Sequence, residues 1–523
     1  MSSLQDRYAK QIAGTYSCFD RIVITGTIPQ WCYADGMSLY LRQQNIRIFD
    51  YTEFAEPLRD EIRANSERLA IENSIEIEFI RSAKAFRKED RIKEIIQNRG
   101  DHPGLVHIFS ATETCPSFSP WHNKATGKTG LRSKESKCLH YYFYFIDSEF
   151  GLCYLRVPTW APFRLQFYCN GHNFLANQLK NKEIGFLPLD NRCNCYRIYT
   201  TFLKIDDFTR AQELADAFPA DRLHRALDAF AKRYCPVIRL APNPYHWSIM
   251  QAEYATDIVF KHAEDLKPIY ETLIKKAIHT VEPESITMFL GKKLDGHTLA
   301  EIGTDYKFSK RIKGMRIKHY MGWASIKMYD KQGIVLRIET TSVFAVANTP
   351  VNDVSELKHY RTVEHRDGRS ETKYAPMQKT IYSLPALQEL LLAANNRYLD
   401  FISSIDDTSD GQRQIQKIGD SVKLNHRSFR GFNLFREEDI KALIALIKGE
   451  GNITGITNRM LRKALPEMTS SQISYFIKRC RVFRLIKKCG KAYKYYLTKQ
   501  GLRIIIAALE IRQIMLPQAI CTQ

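Results

Sequence analysis

Residues 137–147 read KCLHYYFYFID and residues 151–159 read GLCYLRVPT. Side chains alternate between the two faces of a strand, so His140, Tyr142 and Tyr144 share one side. Leu139, Tyr141, Phe143 and Phe145 share the other. Neither side is polar. A sheet carrying such a strand has to be covered on both faces, which demands a layered domain with further elements above and below it. The two runs flank DSEFG and read as an antiparallel hairpin, with FRLQFYCNG as a third strand. The alternative use of two aromatic rows is a stacking platform for unpaired bases, since every base has a face that an aromatic ring can cover.

Elements of two kinds precede that hairpin. RIVITGTI (21–28) reads as a strand, DGMSLYLRQQ and YTEFAEPLRDEIRANSERLAIE as helices, and SIEIEFI as a strand. KEDRIKEIIQNR then reads as a helix and GLVHIFSA as a strand. Strands separated by helices imply a mostly parallel arrangement in this part. The expected fold class is α/β multidomain with a mixed sheet. Residues 1–115 form an α/β domain, and 116–240 combine a basic loop with the aromatic antiparallel sheet. Residues 241–407 hold a helical segment, WSIMQAEYATDIVF (247–260), and a polar hairpin; 408–430 read as a linker and 431–523 as a C-terminal domain. The basic loop, WHNKATGKTGLRSKESK (121–137), is too polar to build a core. Its Lys124, Lys128, Arg132, Lys134 and Lys137 make it a candidate phosphate clamp.

Charge narrows the class of partner. The 523 residues carry a formal net charge of +20, placed unevenly: residues 423–523 hold 20 Lys and Arg against 6 Asp and Glu. A field of that sign attracts polyanions, of which nucleic acid is the commonest. No run of 18 apolar residues occurs and the N-terminus lacks an apolar signal core, so a cytoplasmic protein with no membrane partner is expected. Twelve cysteines are scattered, and Cys193 and Cys195 have no second close pair to complete a zinc site. Reduced thiols are expected.

The last hundred residues carry the clearest local code. REEDIKALIALIKGE (436–450) is helical by spacing, with acids in its first turn, and ITNRMLRKAL is a short helix. TSSQISYFIKRCRVFRLI opens on cap-forming residues and buries Ile473, Phe476, Ile477 and Cys480 on one face, leaving Lys478, Arg479, Arg481 and Arg484 on the other. A hairpin with Lys487, Lys488, Lys491 and Lys494 follows, then a closing helix. That order predicts a winged helix-turn-helix, its basic third helix entering a major groove and its hairpin lying along the backbone. FRLIKKCGKAYKYYLTKQG resembles the wing of MarR-type regulators, with Arg484-Leu485-Ile486 where that family has a Gly-Leu-Ile-like step.

SIKMYDKQGIVLRIETT (325–341) is the second informative stretch. A three-residue loop, Lys331-Gln332-Gly333, would pair Asp330 with Ile334 and set Lys327 opposite Arg337 on a polar face with Tyr329 and Glu339. Two like charges facing each other are mildly destabilising unless an anion or Glu339 lies between them, and a phosphate is the natural anion. On the predicted helix 247–260, Glu253 and Asp257 lie four apart, where a divalent cation would offset their repulsion. Asp20 heads the strand at 21–28, near where ribonuclease H-like nucleases and transposases keep an acid. MYDKQGIVLRIE is similar to a Y-D-K…R-x-E stretch of plasmid and phage replication initiators, although their histidine pair is absent. Over most of its length the chain also resembles a widespread uncharacterised bacterial family often labelled MarR-like, through KCLHYYFYF, ATDIVF, SIKMYDKQG and LRIETT.

These readings combine into one expectation: a metal-dependent DNA-processing protein of mobile-element type, cleaving or transferring strands or initiating replication. Asp20, Glu253, Asp257 and Glu339 would hold Mg²⁺, and Lys327 and Arg337 would stabilise the charged transition state. The nucleophile would be an activated water ahead of Tyr329. DNA is favoured over RNA. The rival is a non-enzymatic MarR-like transcriptional regulator, binding as a homodimer, or an RNA-binding scaffold.

Overall fold

A computed structural model describes residues 3–81, 86–189, 201–291, 302–309, 312–344, 357–364, 369–403, 418–424, 427–433, 436–447, 455–489 and 493–510. The protein is mixed α/β and divides into two compact units. One comprises Tyr16–Glu253 with Gln378–Gln388, the other Met1–Thr15, Tyr254–Met377 and Glu389–Gln523. Among the described residues no helix is long and apolar enough to cross a membrane.

In the first unit the strands are β1 (Ile12–Thr27, from Tyr16 onward), β2 (Ile77–Phe79), β3 (Gly104–His122), β4 (Thr129–Asp147), β5 (Gly151–Pro158) and β6 (Leu165–Cys169). They are ordered β1-β6-β5-β4-β3-β2. Only β2 and β3 are parallel; β3–β4, β4–β5, β5–β6 and β1–β6 are antiparallel. The sheet is therefore mixed, and the mostly parallel arrangement expected of the N-terminal part does not hold. The helices at Tyr51–Glu72 and Lys88–Arg99 fall where spacing placed them. A small pair, β7 (Phe186–Pro188) and β8 (Phe202–Ile205), completes this unit with the first half of β9 (His246–Phe260).

Two further expectations fail here. Residues 121–137 are not a loop: β3 and β4 pair continuously from Gly104↔Ile146 to His122↔Thr129. The connection shrinks to Asn123–Lys128, where the Asn123 side chain accepts the Ala125 and Thr126 N–H groups. Backbone pairing along a long hairpin holds a segment whose side chains could not hold it themselves. Residues 247–260 form β9, not a helix. Its buried run includes both faces, a pattern that periodicity alone cannot tell from a buried helix.

Both faces of β4 are covered, as its composition demands. Helix Ala220–Tyr234 lays Tyr234 on Phe143 (centroids 4.6 Å) and Phe230 on Phe145 (4.6 Å). On the other side Ile92 and Ile96 of helix Lys88–Arg99 join a core with Phe109, Tyr142 and Tyr144. Residues His140 to Ile146 are all buried, so the aromatic rows are core and not a platform for bases.

The second unit is built on an antiparallel meander of β10 (Ile302–Ser309), β11 (Ile312–Met321), β12 (Ala324–Lys331) and β13 (Val335–Val343). The second half of β9 adjoins β13. Ile326, Met328, Leu336 and Ile338 pack with Leu273 of helix Ala263–Thr280, Phe289 of helix Pro283–Leu290, and Tyr398 and Phe401 of helix Leu384–Ser403. A hairpin of β14 (Lys358–Glu364) and β15 (Ser370–Pro376) also belongs to this unit.

The same core continues into the C-terminal residues. There a short hairpin, β16 (Val422–Leu424) and β17 (Arg427–Phe429), precedes helices Glu437–Ile447, Asn458–Ala464 and Ser470–Val482. The antiparallel pair β18 (Ile486–Lys488) and β19 (Tyr495–Leu497) and helix Lys499–Glu510 follow. Thr469 and Gln472 form a reciprocal capping box. Arg484 has φ +57°, a left-handed conformation that glycine adopts most readily. Thr498 accepts the Gly501 N–H (2.8 Å) and donates to the Arg484 carbonyl (2.7 Å). A Cβ on Gly501 would sit 2.2 Å from the Leu485 carbonyl oxygen.

Arg479 is the hub of this region. It donates to Asp439 (2.9 and 3.2 Å) and to the carbonyls of Arg430 (2.8 Å) and Gly431 (2.5 Å). Its guanidinium lies 3.8 Å from the centre of the Phe432 ring. Burial pushes the Asp439 carboxyl up, but Arg479 and the Asn433 N–H outweigh it and hold the group below its usual value. We predict that Arg479→Ala lowers stability in urea unfolding by roughly 3 kcal/mol, because it strands a buried carboxylate. A carboxyl lowered on folding stabilises above its unfolded pKa and loses that contribution as pH falls through the folded one. Asp439→Asn should therefore flatten the acid limb of stability against pH below about 4.

Candidate functional site

The Y-D-K and R-x-E strands do form a hairpin, in a register two residues from the expected one. Lys331 pairs with Val335, Tyr329 with Arg337 and Lys327 with Glu339. The turn is Gln332-Gly333-Ile334, with φ +59° at Gln332 and +84° at Gly333, and the Asp330 carboxylate accepts the Gly333 N–H at 2.7 Å. That side-chain bond fixes the turn one residue further on than loop length alone indicated. A shift of two leaves the faces unchanged but rearranges the charges. Lys327 now donates to Glu339 at 2.5 Å, as does the Tyr329 hydroxyl at 2.9 Å. Arg337 grips Asp257 through two bonds of 2.6 Å, and both residues are 1% exposed. The like-charge pair that called for a phosphate does not exist. Tyr329, Lys327, Glu339 and, behind them, Arg337 with Asp257 form internally satisfied charge pairs.

Of the four acids nominated for metal, two meet within the first unit. Asp20 on β1 and Glu253 on β9 bring carboxylate oxygens within 4.8 Å of each other. Asp20 faces the buried ring of His172 (Nδ1, 3.2 Å) at the start of helix Gly171–Asn181. Glu253 accepts from Gln251 (2.9 Å) and lies 3.9 Å from Arg21. Glu253 and Asp257 are not partners: four residues of strand span about 13 Å. Asp257 is bound by Arg337, and Glu339 accepts from Lys327 and Tyr329. His172 was invisible in sequence because only the β1–helix geometry brings it to Asp20.

The basic residues separate into two groups. Lys124 and Lys128 lie in the exposed β3–β4 connection, and Arg132, Lys134 and Lys137 are exposed on β4. In the C-terminal region Lys478, Arg481, Arg484, Lys487, Lys488 and Lys494 are exposed. Arg479 is buried on Asp439 and is no surface cation, which corrects its assignment to the outer face. Lys491 lies outside the described residues, as do Cys193 and Cys195. Lys478 and Arg481 line a groove of about 900 Å³ with Arg427, Phe429, Asn458, Ser470, Ser474, Tyr475 and Tyr493. Among the described residues lining it there is no carboxylate. Tyr475 is three residues from Lys478 on the same exposed helix face, a spacing that would have revealed it.

Comparison with protein-family models, curated proteins and solved structures finds no match. Removing Glu339 should expose how far the hairpin charges are structural: Glu339→Ala leaves Lys327 without its carboxylate and lowers stability by about 2 kcal/mol in denaturant titration. An unchanged midpoint would mean the pair is poised for something other than holding the fold.

Proposed function

We propose that the chain is a nucleic-acid-binding protein whose C-terminal helices and β18–β19 hairpin act as a winged helix-turn-helix. One observation carries this reading: the acid-free groove on the exposed face of helix Ser470–Val482, lined by Arg427, Lys478, Arg481 and aromatic rings. Cations neutralise phosphates and release their counterions, and the flanking hydroxyls and amide offer neutral hydrogen bonds. The charge excess of residues 423–523 supplies the long-range attraction.

A second reading, metal-dependent DNA processing, is favoured by the Asp20–Glu253 carboxylate pair. Mg²⁺ takes hard oxygen ligands and is commonly held by one or two carboxylates plus substrate phosphates, which this pair fits. Bound there, the cation would polarise a phosphoryl oxygen or activate a water. Arg337 has little support as a transition-state stabiliser, since Asp257 occupies it. Tyr329 and Lys327 are engaged by Glu339, so a water nucleophile remains the better choice.

Fluorescence anisotropy with labelled oligonucleotides tests the first reading. Lys478→Ala/Arg481→Ala should weaken binding at least about tenfold and reduce the salt slope by roughly 2, with unchanged thermal stability. Equal affinity of variant and parent would remove the groove from binding. Incubation with Mg²⁺, Mn²⁺ or EDTA beside Asp20→Asn and Glu253→Gln tests the second. Metal-dependent cleavage lost in both variants supports an enzyme; no cleavage of any DNA or RNA substrate leaves a regulator or scaffold.

A further inference from the structure

A helix that reads duplex DNA must stand proud enough to enter a major groove about 12 Å wide. Residues on the exposed face of helix Ser470–Val482 share a groove with neighbouring elements. The groove of about 900 Å³ is lined by Tyr475, Lys478 and Arg481 of that helix, by Arg427 and Phe429 of β17, and by Tyr493 and, on β19, Tyr495. The β17 wall is fixed. Arg479, inside the helix, donates to the carbonyls of Arg430 and Gly431 immediately after that strand.

Its lining has the two components that an unpaired strand requires. Tyr475 is 48% exposed and Tyr493 79% exposed, so both rings are open to a partner. Phe429 lies nearly parallel to Tyr475 (centroids 6.0 Å, 14°), which backs the tyrosine on one side and orients it. The Lys488 ammonium sits 4.7 Å from the centre of the Tyr493 ring. Around these rings stand Arg427, Lys478 and Arg481. Aromatic faces stack bases and cations follow the backbone, while a duplex keeps its base faces hidden from both. The volume of about 900 Å³ falls within the range of about 300–1,000 Å³ typical of small-ligand clefts, a size that suits a few nucleotides.

We propose that this groove takes the unpaired strand of a nucleic acid, stacking bases on Tyr475 and Tyr493, and does not seat duplex. The inference rests on the nucleic-acid reading above and departs from the duplex-reading role expected of a winged helix.

The test is anisotropy with the full chain and three probes of equal length: oligothymidylate, oligouridylate and a mixed-sequence DNA duplex. Either single strand should bind at least about tenfold tighter than duplex, and Tyr475→Ala or Tyr493→Ala should each weaken it by about fivefold or more. The Phe variants at the same positions should restore binding, and duplex affinity should not move. The outer position of Tyr493 makes its variant informative even if Tyr475→Ala disturbs the packing with Phe429. Duplex binding as tight as single strand, or tyrosine variants without effect, overturns this inference and leaves the nucleic-acid reading standing. Failure of all three probes to bind overturns both.

Discussion

The C-terminal region depends on one buried cation. Arg479 ties helix Ser470–Val482 to helix Glu437–Ile447 through Asp439 and to the chain after β17 through two carbonyls. A guanidinium has five donors in a planar fork, so one residue can satisfy a carboxylate and two backbone acceptors at once. Lysine could not. By holding β17 beside the helix, this contact turns a basic helical surface into a groove with a defined shape, and every functional statement about that groove follows from it.

A second buried pair plays the corresponding part in the meander. Arg337 and Asp257 join β13 to β9 with two short bonds, both side chains withdrawn from water. An unpaired charge at either position would be costly, so the pair keeps the register of these strands. On the same hairpin, Lys327 and Tyr329 converge on Glu339. Residues that read as a catalytic set in one dimension are therefore engaged with each other in three.

Legibility followed how local the determinants are. Helices Tyr51–Glu72 and Lys88–Arg99 could be read directly, because spacing of apolar residues sets a helix. The cap-forming start at Thr469 was legible because capping is equally local, while Gln472 as its reciprocal partner was not named. Long-range pairing was not legible: Lys124–Lys137 looks like coil until β3 is laid alongside it, and Glu253 and Asp257 look like helical neighbours until β9 is recognised. The hairpin register turned on one side-chain bond from Asp330, too small a term to read from loop length. Arg479 looked like a surface cation because Asp439 is 40 residues away. The Asp20–Glu253 approach lay beyond any spacing argument, although both acids were nominated for one metal site together with Asp257 and Glu339.

The central claim is that nucleic acid binds in the groove between helix Ser470–Val482, β17 and Tyr493. Photo-crosslinking of a bound single strand, followed by mass spectrometry of the modified peptides, tests it most directly. The account predicts adducts on the peptides carrying Tyr475 and Tyr493. Adducts confined to the β3–β4 hairpin around Lys124 and Lys134, with none on those tyrosines, would contradict it.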